Sequence, residues 1–374
     1  MDDMASGIMG HFSILRDPRM QKKKRHRLID ILVIAICAVI CGAEGWEEME
    51  RYGVAKFEWL KTFLELPHGI PSDDTFARVF SIIDPIEFQR CFAAWGAAMK
   101  ESLKGLVVAI DGKTLRHSFD KATGKNAIHM VSAWVVENQM VLGQVKVDEK
   151  SNEITAVPKL LDMLNIQGSI VTTDAMGCQK EIAAKIVDKG AGYVFCLKGN
   201  QGNLHADVRD FFLFCEKENF KDVPYDYFES TDKGHGRIET RKYWQTNDIA
   251  WLQDKENWKG LNTIGMVTAQ RIIGEQTTTE TRYFLSSMPL DAEKFSHPVR
   301  GHWGIENGLH WCLDVGMGED DCRISRRNAD ENFAVLRHIA LNLLKQNKTQ
   351  KCGIKAKGKL CCWDNKYLLK VLWG

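Results

Sequence analysis

The chain has 374 residues, of which 44% are apolar and 26% charged, and a formal net charge of +1. This is the composition of a globular protein long enough for two domains, or for one large domain with additions. The near-neutral total excludes neither a nucleic acid partner nor any other, but the distribution of charge is informative. Arg16, Arg19, Lys22, Lys23, Lys24, Arg25 and Arg27 crowd one stretch near the start. Lys345, Lys348, Lys351, Lys355, Lys357 and Lys359 crowd another near the end. Basic ends around a neutral middle suit DNA held at its flanks, although a charge run is as often a solvated face. Eleven cysteines without a CxxC pair, in a large chain with no secretory signal pattern, point to reduced thiols and a cytoplasmic protein, not to a disulfide framework or a zinc site.

Residues 1 to about 104 read as helical. The run from Leu28 to Val39 is apolar apart from Asp30. It is too short for the roughly 20 residues of a membrane span, so a buried helix is expected. Glu47 to Leu64 is amphipathic. In "SDDTFARVFSIIDP", Ser72 is an N-cap candidate, Phe76, Val79 and Phe80 fall at helical spacing, and Pro85 follows the helix.

The pattern then changes to strands. "LVVAI" (106–110) is a short buried strand ending at Asp111. "AIHMVSAWVV" and "MVLGQVKV" form a plausible hairpin around Glu137-Asn138-Gln139. A helix is expected from about Ala156 to Leu164. "SIVTT" is a strand ending at Asp174, "QKEIAAKIVDKG" a helix closed by Gly190, "YVFCLKG" a strand and "NLHADVRDFFLFCEK" a helix. Three strands, then helix, strand, helix, strand and helix, is the order of a ribonuclease H-like mixed sheet with flanking helices. Residues 225–290 read as a β-rich insertion. Helix is expected again over 303–314 and 329–345, with a basic C-terminal tail over 346–374.

Asp111 and Asp174 each follow a short apolar strand directly. If those strands are parallel neighbours, both carboxylates emerge at the strand ends where open α/β sheets bind ligands. Two adjacent carboxylates repel unless a cation lies between them, which makes a magnesium site. An Asp at a strand end is otherwise a turn or helix-cap residue. "DGKT" at 111–114 is not a P-loop, because Val107 stands where that motif needs Gly. A third acid could be Glu306, which at helical spacing would share a face with Trp303 and His310. Asp314, Glu319, Asp320 and Asp321 are rivals that spacing alone does not eliminate. Lys198, with Asn200 and Gln201 beside it, follows a strand end and could meet a phosphate, or could simply open the next helix.

"PSDDTFARVFSIID", "VVAIDGKTLRHS", "KSNEI", "VTTDAMGCQKEIA", "YVFCLKGNQGNLHADV", "HGRIETR", "RGHWGIENGLHWCLDVGMGEDDCRI" and "WDNKYLLKVL" occur in that order over nearly the whole chain. Together they resemble the H-repeat-associated DDE insertion-sequence transposases linked to Rhs elements. The resemblance implies a helical N-terminal associated domain (1–104), then a ribonuclease H-like catalytic domain (105–345) with its β-rich insertion between the second and third acids. It implies Asp111, Asp174 and Glu306 as catalytic and metal-binding triad, with Mg²⁺ as cofactor and Mn²⁺ as substitute. It also implies metal-dependent cleavage and strand transfer on DNA, with element ends and target as partners, a homodimer in the DNA complex and no membrane. The wider family carries Tyr, Arg and Lys at set offsets from the third acid; here those positions are Val299, His302 and Leu313. DNA contacts are therefore expected from Lys198, Asn200, Arg300, His302, Trp303 and Asn307. An inactive DNA-binding remnant, or a nuclease of the same fold that cuts without joining, are the alternatives.

Overall fold

The computed structural model describes residues 7–99, 102–119, 124, 126–148, 151–234 and 236–373. Lys150 of "KSNEI" and His235 of "HGRIETR" lie outside the described residues. In chain order the elements begin with helices α1 (Ile8–Phe12), α2 (Leu28–Ile40), α3 (Trp46–Ala55), α4 (Phe57–Leu60), α5 (Asp73–Ile82) and α6 (Pro85–Ala98). Strands β1 (Val107–Thr114), β2 (His129–Val135) and β3 (Met140–Lys146) follow. Then come α7 (Glu153–Met163), β4 (Ile170–Thr173), α8 (Lys180–Asp188), β5 (Gly192–Leu197) and α9 (Asn203–Lys217). Four long strands, β6 (Tyr225–Gly234), β7 (Arg237–Thr246), β8 (Thr263–Ile273) and β9 (Gln276–Ser286), precede α10 (Ala292–His302). A π-helical turn (Glu306–His310) leads into α11 (Trp311–Met317), α12 (Ala329–Gln346), α13 (Ile354–Trp363) and α14 (Asn365–Trp373).

The strands form one nine-stranded mixed sheet in the order β3-β2-β1-β4-β5-β9-β8-β7-β6. Its first five strands have the ribonuclease H-like order expected from the sequence. The β-rich insertion does not stand apart. It joins the sheet through β9, which pairs antiparallel with β5, Leu197 opposite Tyr283. Among the described residues no helix is long and apolar enough to cross a membrane.

The contacts divide the chain into two compact units that interleave in sequence. One comprises Met1–Glu101, Gly112–Ser151 and Glu306–Gly374, the other Ser102–Asp111 and Asn152–Ile305. In the first, α2 is buried at every position but Ile29 and packs against α12, as a helix that is apolar all round must. Asp30 is buried with it, and burial raises its carboxyl pKa above the usual range. Ser72 precedes α5, but its hydroxyl pairs with Thr75. The Asp73 N–H instead donates to Glu50 at 2.9 Å. The β2–β3 hairpin shifts register between Ala133 and Trp134. Asn342 of α12 meets the Val141 N–H and C=O there, at 2.8 Å each, so both main-chain groups of Val141 are satisfied beside the irregularity. The stretch expected as a tail is helical. Lys357 of α13 is buried and donates to the carbonyls of Leu344 and Asn347 at 2.8 and 2.5 Å, capping the C-terminal end of α12.

In the second unit, β1, β4 and β5 are parallel. Helix α10 packs against β4, β5, β6 and β7, with Phe295 in a cluster of Val194, Tyr243, Val267, Phe284 and Met288. Gly265 makes that packing possible: a Cβ there would lie 2.5 Å from the Phe295 ring.

Candidate active site

The pairing of β1 with β4 places Val107 opposite Ile170 and Ile110 opposite Thr173. The next residues are Asp111 and Asp174, so the register sets them side by side where the β1–β4 pairing stops: Asp174 directly follows β4, whereas β1 was expected to end at Asp111 and instead continues to Thr114. Both are half-buried. Asp174 turns the chain. Its Oδ1 accepts from the N–H groups of Met176 at 3.0 Å and Gly177 at 3.2 Å. Gly177 is required there, since a Cβ would fall 2.6 Å from that of Thr173. Among the described residues Asp174 has no ion pair, and its Oδ2 accepts no hydrogen bond. Burial raises its pKa above the ordinary carboxylate value, with Glu153 adding to the rise, against the lowering pull of the two N–H groups and Lys198. Such a carboxylate is stabilised in its charged form by a cation. The oxygen-only donors suit a hard ion such as Mg²⁺.

The loop after β5 buttresses this turn. The Asn200 side-chain amide donates to the Ala175 carbonyl at 2.7 Å and that of Gln201 to the Cys178 carbonyl at 2.6 Å. Asn200, expected to meet DNA, thus spends its amide N–H on holding the Asp174 loop. Lys198 is exposed. Close to it lies a residue that sequence reasoning missed, Arg282 on β9, whose guanidinium stacks 4.7 Å from the centre of the exposed Trp303 ring. The alternation in "TETRYFLSS" was its only signal: Arg282 directly precedes the buried Tyr283-Phe284-Leu285 run.

His302 is of a different kind. Its Nδ1 pairs with the Thr172 hydroxyl at 3.0 Å. Burial, with Arg282 and Lys198 nearby, lowers its pKa to about 4, so at neutral pH the ring is uncharged and can meet DNA only as a hydrogen-bond partner. Arg300 is exposed and reaches Asp232 of β6 at 3.6 Å.

Glu306 and Asn307 belong to the other unit and are exposed. They open the π-helical turn, a form that occurs in short pieces and often at functional sites. Its wider winding breaks the 3.6-residue spacing by which Trp303, Glu306 and His310 would share a face. Gly308 lets the turn lie against the hairpin: a Cβ there would come 2.8 Å from the Trp134 ring. Helix was expected to return only at 303; α10 in fact begins at Ala292 and carries Pro298 within it.

In the same unit Lys113 draws in three acids. Its ammonium pairs with Asp314, with Glu319 at 2.7 Å and with Asp320 at 3.6 Å. The Lys113 and Glu319 side chains are only 14% and 2% exposed. Three of the four rivals for third acid thus share one ammonium, with Arg116 a further 3.4 Å from Asp320; burial, with Asp320 and Glu319, still raises the Asp314 pKa against the pull of Lys113. The strand register brings Asp111 and Asp174 together; among the described residues no three His, Cys, Asp or Glu side chains form a ready metal cluster.

Residues 9–96 match the DDE_Tnp_1-associated family and residues 102–343 the family described as "Transposase DDE domain". The "H repeat-associated putative transposase YhhI" of Escherichia coli strain K12 is 46% identical over 372 residues, 98% of either chain. The "H repeat-associated putative transposase YbfD" of the same strain is 48% identical over 234 residues, covering 63% of this chain and 91% of its own. Among solved structures, a piggyBac transposase synaptic complex with hairpin DNA overlaps 99% of this chain and 78% of its own, with a TM-score of 0.41 and 10% identity. The chain belongs to the DDE transposase family, among its H repeat-associated members.

Proposed function

We propose that the protein catalyses metal-dependent cleavage and strand transfer of DNA at the ends of an insertion-sequence element, with Asp111, Asp174 and Glu306 as its acid triad. The observation that carries this reading is the β1–β4 register, which sets Asp111 beside Asp174 at the ligand-binding edge of the sheet. Glu306 is assigned as third acid because it is the family's motif residue in this sequence, and because Asp314, Glu319 and Asp320 are engaged by Lys113. Bound divalent cations, Mg²⁺ or Mn²⁺, would supply activation of the attacking oxygen and stabilisation of the leaving oxygen.

The chain's own residues bind and orient. Asp111 and Asp174 offer carboxylate oxygens, and the Met176 and Gly177 N–H groups fix the rotamer of Asp174 so that Oδ2 is presented. Asn200 and Gln201 hold the loop behind it. Lys198, Arg282 and Trp303 offer positive charge and an aromatic face to a phosphate backbone. His302 and Asn307 would add neutral hydrogen-bond partners, and Arg300 a further cation. Positioning and charge neutralisation carry the rate of such phosphoryl transfers, with little covalent chemistry left to the protein. Partners would be the element's ends and its target, bound by a homodimer. Incubating the protein with a labelled duplex carrying the element's ends and Mg²⁺ tests the proposal. Nicked and joined products are expected; nicked product alone would mark a nuclease, and DNA binding without either product an inactive remnant.

A further inference from the structure

The first unit contains a cavity of about 340 Å³ that the triad does not use. Trp311, Val315 and Ile354 form its apolar side, and Lys345, Lys348 and Lys355 its basic side. The volume lies within the range of small-ligand pockets, about 300–1,000 Å³. No carboxylate is among the lining residues. Trp311 is 59% and Val315 51% exposed, so both apolar faces are accessible from solvent. The lysines divide by what they already do. Lys345 is held by Gln139 at 3.1 Å and lies over the Trp134 ring, so it forms part of the floor. Lys348 and Lys355 are exposed and make neither hydrogen bond nor ion pair with the described residues.

An open indole face beside unneutralised ammonium groups is the chemistry that receives an aromatic ring carrying phosphate. We propose that this cavity holds one unpaired nucleobase of a DNA strand, stacked on Trp311, with the adjoining phosphates on Lys348 and Lys355. A paired base inside a duplex cannot present its face to a side chain, so the site selects single-stranded or extruded nucleotides. Trp311 follows the π-helical turn directly and is five residues beyond Glu306. A strand gripped here is therefore held by the same helical run that carries the third acid. The inference rests on the DNA-processing reading above, but it does not require cleavage.

The test is equilibrium binding of the full chain, in EDTA, to a short duplex with a single-stranded 3′ overhang containing 2-aminopurine, against the same duplex blunt-ended. Stacking on Trp311 should quench the 2-aminopurine and favour the overhang. Trp311→Ala should abolish the quenching and weaken overhang binding about tenfold, within the range for loss of one base–aromatic stack, while blunt-duplex binding stays unchanged. Trp311→Phe should keep part of the quenching. Lys348→Gln with Lys355→Gln should weaken overhang binding and lower its salt dependence by about two charges, with little change for the blunt duplex. Quenching that survives Trp311→Ala, or equal binding of overhang and blunt duplex, would overturn the site and leave the transposase reading standing. Failure to bind DNA of either form would overturn both. A change of oligomeric state by Trp311→Ala without DNA would assign the cavity to a second copy of the chain and overturn the nucleobase.

Discussion

Two clusters of carboxylates in this protein are built in opposite ways. Around Lys113, three acids share a resident ammonium, and Glu319 is buried with it. At the end of β4, Asp174 is partly buried with one oxygen on two backbone N–H groups; among the described residues it has no ion pair and no partner on the other oxygen. In the first, one ammonium is shared among three acids, and burial with Asp320 and Glu319 still raises the Asp314 pKa. In the second, burial raises the Asp174 pKa, and among the described residues no side-chain cation pairs with it. What differs between the two is a resident cation within pairing distance, which the count of acidic residues in "LDVGMGEDD" could not show.

The largest expected effect falls on the Asp111–Asp174 pair. Asp174→Asn or Asp111→Asn should lower metal-dependent cleavage by at least about a thousandfold, the upper range for removing one electrostatic contributor to a transition state, read as initial rates at saturating Mg²⁺. Glu306→Gln should do the same, while Asp314→Asn, at the Lys113 cluster, should leave cleavage within a few-fold of the parent.

Lys113→Met should act on the fold. It leaves Glu319 buried without its partner, and breaking a buried pair in this way costs about 3–5 kcal/mol, measurable by urea denaturation. Gly308→Ala forces a methyl against Trp134 and should cost about 1–3 kcal/mol as overpacking.

Acidity sharpens the same contrast. Asp174 has a raised pKa in the folded chain, so the native state binds more protons than the unfolded one just above pH 3.8. Its contribution to stability is present at low pH and lost as pH rises through the folded pKa. In EDTA at neutral pH, Asp174→Asn should therefore raise Tm, and it should remove the further rise that Mg²⁺ gives the parent. In the first unit the opposite sign applies to His310 and His338, lowered by burial to about 4 and about 3. The unfolded chain protonates first, so stability is lost as pH falls below about 6.5. His338→Gln should flatten that acid limb. Lys198→Ala should have the smallest effect, a modest loss of DNA affinity with a salt slope lower by about one.

Much of this was legible in the sequence for identifiable reasons. Short apolar runs followed by Asp predicted both β1 and β4 and the placement of Asp111 beside Asp174, although β1 runs on through Asp111 to Thr114. The period of "NFAVLRHIALNLLK" predicted α12. Helix α10 was misplaced because Pro298 and Gly301 lie inside it; the packing of Phe295 against Val194, Tyr243 and Phe284 outweighs those local breakers, and no one-dimensional pattern contains that contact. The basic C-terminal cluster looked uniform, yet Lys345 and Lys357 are buried and committed to Gln139 and to main-chain carbonyls. Equivalent letters in a charge run thus have different work once the chain is folded. The role of Lys113 was likewise invisible, because its partners lie about two hundred residues away.

The most direct test of the central claim is metal-dependent cleavage of a labelled duplex carrying the element's ends by three proteins side by side: the parent, Asp174→Asn and Asp314→Asn. The account predicts product from the parent and from Asp314→Asn, and none above background from Asp174→Asn. Cleavage by Asp174→Asn at the parent's rate would contradict it, and would show that the open carboxylate at the strand end does not hold the metal.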